Sequence, residues 1–471
     1  MHRSRGRLVA VLIAFGLLVA ACGGGDRDDG ASGGGDSPST SSDVVDEGPA
    51  EGFGELASPC GPAEDGAELT EQGDFVTADN ITIGYGDDAG YQAAPGLNAQ
   101  MSDAVRALMD WCNEQGGING REVVGEYYDA KILEANNVMI EACEQVFMLV
   151  GQGWAFDGAA EQTRVGCGLP QVPGYTVSAT AAHGPLTYVA VPNPVDLTPA
   201  GHLALMAEQY PDRVTRAAAL YADYPAQIEV MDKIEAVAPD YGWEFVPDCE
   251  QTYPIGGVPQ WAPYVQKLKE CGAGIVYWVG SPLPMFQNLL EAAAQADLDM
   301  VYLSDANQYE ENFALANTAG YSDTVHMRMA FTPFEQADRN AATQQYLDVL
   351  DASGGTPSLL GAQATSAFLL WATAADACGA ELTRQCVLDE LATITSWTGG
   401  GLHAETNPGE NIPPECVMVL GMEGTSFVQA LPAETGEFAC DPSYVAEVPD
   451  IPALVEAQLG EDRISTAFTG G

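Results

Sequence analysis

Residues 111–123 read WCNEQGGINGREV. The run before it, AQMSDAVRALMDWCNEQ, sets Met101, Ala104, Val105, Leu108, Met109 and Cys112 on one face of an amphipathic helix. Gly116 supplies the left-handed C-terminal cap that a side chain resists. Asn119-Gly120 hints at a two-residue hairpin turn. The flanking segments decide against it. ITIGYG (81–86) upstream and REVVGEYYDA (121–130) downstream both read as strands. LEANNVMIEACEQVF (133–147) reads as a helix, with Ala135, Val138, Met139, Ala142, Cys143 and Val146 on one face. FMLVG (147–151), DGAAEQTRVGCG (157–168) and LPQVPGY (169–175) continue as strand, helix and strand. This β-α-β-α-β-α-β order predicts a parallel sheet covered by helices, so the quoted stretch is a helix-to-strand connection and the hairpin hint is rejected.

LTYVAVPNP (186–194) breaks the rhythm with two prolines, and the alternation then restarts. RAAALYAD (216–223), EFVPDCEQTY, GIVYWVG (274–280), DMVYLSD (299–305) and DTVHMRMAF (323–331) read as strands. Helices at about 226–242, 259–272 and 284–298 separate them. Further helices follow at about 339–352, 358–378 and 382–393; GAQATSAFLLWATAADACG is apolar nearly all round, as a buried helix would be. CVMVLGMEG and SFVQALP close as a strand pair, and 441–471 reads as a loosely packed tail. The chain therefore holds two α/β units of similar rhythm.

The 471 residues carry a net charge of −50, with only 17 Lys and Arg. Nucleic acid is excluded as a partner, because phosphate binding needs a basic face. MHRSRGR and the apolar run Leu8 to Ala21 form a leader shorter than the roughly 20 residues of a membrane-spanning helix. It ends in Val19-Ala20-Ala21-Cys22, similar to a bacterial lipoprotein signal, so 1–21 is expected as signal peptide and Cys22 as the lipidated first residue. Residues 22–58, rich in Gly, Ser and Asp, are expected as a disordered tether.

Ten cysteines remain, an even number in an exported chain and without a CxxC pair, which favours disulfides over zinc or thiol redox chemistry. Sequence alone does not fix the connectivity. Pairing local neighbours gives Cys143–Cys167, Cys249–Cys271, Cys378–Cys386 and Cys416–Cys440, and leaves Cys60 with Cys112.

No GxSxG, HExxH, Walker loop or GxGxxG after a strand is present, and the five histidines have no ligand spacing. No catalytic residue, metal or cofactor is expected. In open α/β sheets ligands bind beyond the carboxyl ends of the strands. The loops there gather Tyr91, Gln92, Trp154, Phe156, Tyr175, Thr176, Ser178, Tyr224, Ser281, Asp305 and Asn307.

The run from Ile81 to Ala130, with its helix ending in N-x-x-G-G-I-N-G-R, resembles the start of type I periplasmic solute-binding proteins of the branched-chain amino acid ABC transporter group. G-L-P-x-V, L-Y-x-D-Y-P and G-I-V-Y-W-V-G follow in the matching order, and the resemblance spans about 80–430. It implies two Rossmann-like lobes with parallel sheets, joined by three crossing segments. Lobe 1 would take 80–190 plus 332–412, and lobe 2 would take 191–331 plus 413–432. The loop after the third strand, Gly153-Trp154-Ala155, lacks the group's ligand-holding hydroxyls. Thr176 falls near the other hydroxyl position, Tyr224 on the second-lobe aromatic, and Asp305 where an acid meets an amino group. The resemblance implies a lipid-anchored monomer that captures a small solute, such as an amino acid or amide, and hands it to an ABC permease. The alternatives are a ligand-sensing subunit for a membrane receptor and an exported hydrolase.

Overall fold

The structure is a computed structural model and describes residues 51–469 apart from 93, 255 and 281–283. The leader, Cys22, most of the tether and Ser281 lie outside the described residues.

Two sheets organise the chain. β1 (Asn80–Asp87), α1 (Ala99–Glu114), β2 (Glu122–Asp129), α2 (Ala135–Gln145), β3 (Leu149–Val150), α3 (Gly158–Cys167) and β4 (Gln171–Val172) build the first. Its strands are parallel, in the order β2-β1-β3-β4. β4 is two residues long. Pro170 and Pro173 bracket it, and neither has an N–H to give to a ladder.

After α4 (Ala179–Ala182) and β5 (Leu197–Pro199) the second lobe begins with α5 (Gly201–Gln209) and α6 (Pro211–Val214). It continues through β6 (Ala217–Asp223), α7 (Pro225–Val237), β7 (Gln251–Pro254), α8 (Ala262–Cys271) and β8 (Ile275–Val279). α9 (Met285–Gln295), β9 (Val301–Ser304), α10 (Glu311–Ala316) and β10 (Val325–Met329) complete that run. EFVPDCEQTY becomes a strand only at Gln251, because Pro247 opens a short 3-10 turn. The chain returns to the first lobe for α11 (Ala341–Ser353), α12 (Leu359–Ala377) and α13 (Arg384–Thr393). It ends in the second sheet with β11 (Cys416–Glu423), β12 (Ser426–Leu431) and the short β13 (Ala439–Cys440). The second sheet runs β12-β11-β10-β9-β8-β6-β7, parallel from β7 to β10 and antiparallel beyond.

β8 and β9 are buried at every residue, which is why they read as unbroken apolar runs rather than alternations. α12 is buried on almost all sides and packs along α1.

The opening stretch behaves in two ways. Gly116 and Gly117, at φ 104° and 74°, end α1, and their N–H groups donate to Asn113 O and Cys112 O at 3.0 Å. The chain then passes to a parallel strand. Yet Asn119 and Gly120 also have positive φ, and Ile118 and Arg121 exchange backbone hydrogen bonds of 2.9 and 3.1 Å. The rejected hairpin hint is therefore corrected: a tight two-residue turn of the hairpin kind sits inside the helix-to-strand connection. Its outer side pairs with the N-terminal segment through Gly61 N to Gly117 O (2.7 Å) and Gly120 N to Gly61 O (2.9 Å).

That segment shortens the tether. Phe53 is fully buried, edge-on to Trp111, and Gly54 N donates to Gln345 Oε1 at 2.7 Å. The chain is thus seated on the first lobe from about residue 51, not from 59. Disulfides join Cys143–Cys167, Cys249–Cys271, Cys378–Cys386 and Cys416–Cys440, the pairs local spacing suggests, and Cys60–Cys112, the two cysteines it leaves over. Each lies within one lobe.

The tail is packed rather than loose. β14 (Val445–Glu447) pairs with β5, and α14 (Pro452–Ala457) buries Ala453 and Ala457 against a cluster that includes Ala179. Among the described residues no helix is long and apolar enough to cross a membrane.

Candidate functional site

The chain crosses between lobes through 173–200, 330–340 and 394–415. These segments are laced together by Ala404 N to Ala330 O (2.8 Å), Thr332 N to Leu402 O (2.9 Å) and Thr406 Oγ1 to Ala190 O (2.7 Å). Beside them lies a cavity of about 400 Å³ with walls from both lobes. The first lobe gives Tyr91, Leu97, Asn98, Ile132, Ala155, Tyr175, Thr176 and the start of α12 at Leu359, Leu360 and Gln363. The second gives His202, Tyr224, Gln227, Val230, Val279, Met285, Asp305, Asn307, Arg328 and Met329.

The lobes touch over this cavity. Tyr224 follows β6 and precedes α7, whose first turn is set by Pro225. Its hydroxyl donates to Ala155 O at 2.9 Å, and its ring meets Phe156 edge-on at 5.2 Å.

Two carboxylates shape the first-lobe side. Asp88 accepts Ile132 N at 2.6 Å and Ala155 N at 2.7 Å, one on each oxygen. Asp157 accepts Val177 N at 2.7 Å and Ser178 N at 3.0 Å in the same way. Burial pushes both carboxyls up to about 6 against these hydrogen bonds. Tyr175 hydroxyl accepts from Asn98 Nδ2 at 2.8 Å, and burial raises the phenol well above its ordinary value.

On the second-lobe side β10 presents Arg328, whose Nε donates to Asp305 Oδ1 at 2.5 Å. Burial opposes the guanidinium charge, but Asp305 and Tyr277 outweigh it and strengthen it. His202 bonds Tyr277 hydroxyl through Nε2 at 2.9 Å, and burial holds its ring neutral, well below the ordinary imidazole range. Thr176 Oγ1, Gln227 Oε1, Gln363 Oε1 and His202 Nδ1 are buried atoms without a partner among the described residues, all on residues lining the cavity.

Six of the ten ligand-site residues expected from sequence line this space: Tyr91, Ala155, Tyr175, Thr176, Tyr224 and Asp305. Asp305 shares one carboxylate oxygen, Oδ1, with Arg328. Three lie off the cavity. Gln92 is exposed. Gly153 is buried behind Tyr175 and Met101. Trp154 is 3% exposed and packs in the first-lobe core with Tyr128 and Met139. Ser281 is outside the described residues. Arg328, Asn98, His202, Gln227 and Gln363 have no motif in sequence. Only their placement at strand ends and helix starts marks them.

Residues 80–425 match the family described as periplasmic binding protein. No curated protein matches the chain. Among solved structures it is similar to a possible leucine/isoleucine/valine-binding protein from Rhodopirellula baltica, at 12% identity and a TM-score of 0.64, over 78% of this chain and 100% of that one. A fatty acid ABC transporter substrate-binding protein from Thermomonospora curvata matches at 14% identity and TM-score 0.63, over 80% and 97%. A branched-chain amino acid transporter substrate-binding protein from Streptococcus pneumoniae, in complex with isoleucine, matches at 16% and 0.60, over 74% and 100%.

Proposed function

The chain belongs to the periplasmic binding protein family, and from that premise we propose that it is a lipid-anchored solute-binding protein delivering a small molecule to an ABC permease. The family implies an extracytoplasmic location and a binding role. The observation that carries the reading is the cavity of about 400 Å³ walled by both lobes, which meet over it at Tyr224 and Ala155. A ligand touching both walls favours the closed arrangement by its differential affinity for it, and the crossing segments take up the motion. The cysteine at the end of the apolar leader supports anchoring at Cys22. We read the cavity as a binding site rather than a catalytic one, in keeping with the family and with the solute-binding names of the solved neighbours.

The neighbours' names cover branched-chain amino acids and fatty acids on one architecture, so the fold does not choose the solute. A thermal-shift screen of amino acids, amides, aromatic acids and polyamines tests the reading. A compound at 100 times its Kd stabilises the protein by about 2.7 kcal/mol, and hits should also reduce the radius of gyration in solution scattering. A purified protein that turns over its hits, or that no small molecule stabilises, sinks the proposal.

A further inference from the structure

We propose that the solute is an apolar carboxylic acid without an amino group, bound through the carboxylate by Arg328. This rests on the cavity being the solute site.

Guanidinium has five N–H donors in a planar fork that matches a carboxylate. Arg328 Nε is used by Asp305, while its Nη groups have no hydrogen-bond partner among the described residues. The side chain is 26% exposed and lines the cavity, whereas Asp305 beside it is only 9% exposed. The charge the cavity offers is therefore the arginine's. The converse site, for an ammonium, is the weaker one: beside a single acid it offers only neutral acceptors, such as Gln227 Oε1 and Gln363 Oε1. Asp305 is the one acid lining the cavity among the described residues; its Oδ1 is held by Arg328 and its side chain is 9% exposed, against 26% for the arginine. Asp88 and Asp157 next to it have both oxygens filled by backbone N–H groups. An α-amino acid or a polyamine would set its cation against a carboxylate whose charge Arg328 already balances, which is costly in a buried site. The net charge of −50 opposes an anion only from afar, since charges beyond about 8 Å are screened at physiological salt.

The rest of the wall is largely aliphatic: Leu97, Ile132, Val230, Met285, Leu359 and Leu360 come from both lobes. The 400 Å³ equals roughly thirteen water molecules' share of liquid, more than the non-hydrogen atoms of leucine. An acyl or aryl-alkyl body fills such a space and gains from leaving water.

Calorimetry on the purified protein tests this with octanoate and 4-phenylbutanoate, against 4-phenylbutanamide, octylamine and L-leucine. The acids should bind and the amine and leucine should not. Arg328→Gln should weaken the acids by about tenfold to a hundredfold and leave the amide within about threefold. Because Arg328→Gln strands Asp305, the double variant Arg328→Gln/Asp305→Asn, with no charge unpaired, serves as the folded control and should show the same loss. Asp305→Asn alone should weaken the acids less than Arg328→Gln does, whereas at a site for an ammonium it would be the more damaging of the two. Tighter binding of leucine or octylamine, an amide as tight as its acid, undiminished acid binding in the double variant, or no binding of either acid overturns the inference. The wider reading survives those results if another compound closes the lobes in scattering.

Discussion

At the scale of single residues, Tyr224 and His403 hold the lobes in different places. Tyr224 joins them over the cavity by one neutral hydrogen bond to Ala155 O, worth about 1 kcal/mol net. Tyr224→Phe keeps the edge-on contact with Phe156 and loses that bond. The closed-to-open ratio of the unliganded protein should fall about fivefold, read as a larger radius of gyration by scattering. A radius equal to wild type would remove Tyr224 as a latch. His403 lies in the third crossing segment, bonded to Ser366 Oγ at 2.8 Å and Ala404 O at 2.7 Å, against Phe331 of the second. Burial pushes its pKa down from 6.5 to about 4. The unfolded chain thus takes up a proton near pH 6.5 that the folded ring refuses. Its contribution is full above that pH and falls as pH drops toward 4. Wild type should lose about 2 kcal/mol more than His403→Gln between pH 7.5 and 5, measured as the difference in denaturant stability slopes. Parallel slopes would mean the ring protonates in place. The sequence showed the aromatics at the cavity because they sit in loops directly after strands. It hid Arg328, one basic residue in the strand DTVHMRMAF, because nothing local distinguishes a strand residue facing a cavity from one facing solvent.

At the scale of elements, the helix stop in WCNEQGGINGREV shows both what periodicity conveys and where it ends. Helix, stop and following strand were readable from apolar spacing and glycine. The turn inside the connection was hinted at by Asn119-Gly120 and then discarded, since a parallel order seemed to leave no role for it. Its role is tertiary: it pairs with Gly61, and the buried Arg121 beyond it donates to Thr77 O, Thr70 O and Ala380 O. Contacts to residues so distant in sequence carry no local signal. The same holds for β4, shortened by its prolines, and for β5 and β14, which are strands only because they find each other. Gly117→Ala tests the stop. Gly117 has φ +74°, and an added Cβ would sit 2.0 Å from Arg121 O. The left-handed backbone alone costs about 1–2 kcal/mol, and the contact with backbone adds to it. Loss of at least about 2 kcal/mol is expected in chemical denaturation, with ligand affinity unchanged because the turn lies at the far end of β2 from the cavity. A variant as stable as wild type would show that the turn reshapes freely.

At the scale of the whole molecule, the packed tail changes how the hinge is understood. Its Arg463 forms a two-pronged pair with Asp196, Nε to Oδ2 at 2.6 Å and Nη2 to Oδ1 at 2.8 Å. The same guanidinium donates to Glu410 O at 2.5 Å and Asn411 O at 3.2 Å. Asp196 belongs to the first crossing segment, and Glu410 and Asn411 to the third. The backbone holds too: Arg463 O bonds His183 Nδ1 at 2.7 Å, and Ser465 N donates to His183 O at 2.7 Å. One residue of the tail thus ties two of the three strands of the hinge to each other. On the other side Lys233 of α7 grips Asn193 Oδ1 at 2.9 Å and Pro194 O at 3.1 Å. On the proposed closure, crossing segments tied in this way are expected to turn as one body, about a stiff axis, rather than to flex independently. Arg463→Ala should leave both lobes intact, since neither sheet contains it. Its ion pair is part-exposed, so the stability loss should be modest, about 1 kcal/mol. The larger effect is expected locally. Amide exchange should speed up in 191–200 and 405–415 and stay at wild-type rates in α1, β6 and β8. Exchange unchanged in both crossing segments would mean that the tail rests on the hinge without restraining it. Uniform acceleration across the lobes would mean that it supports the fold as a whole.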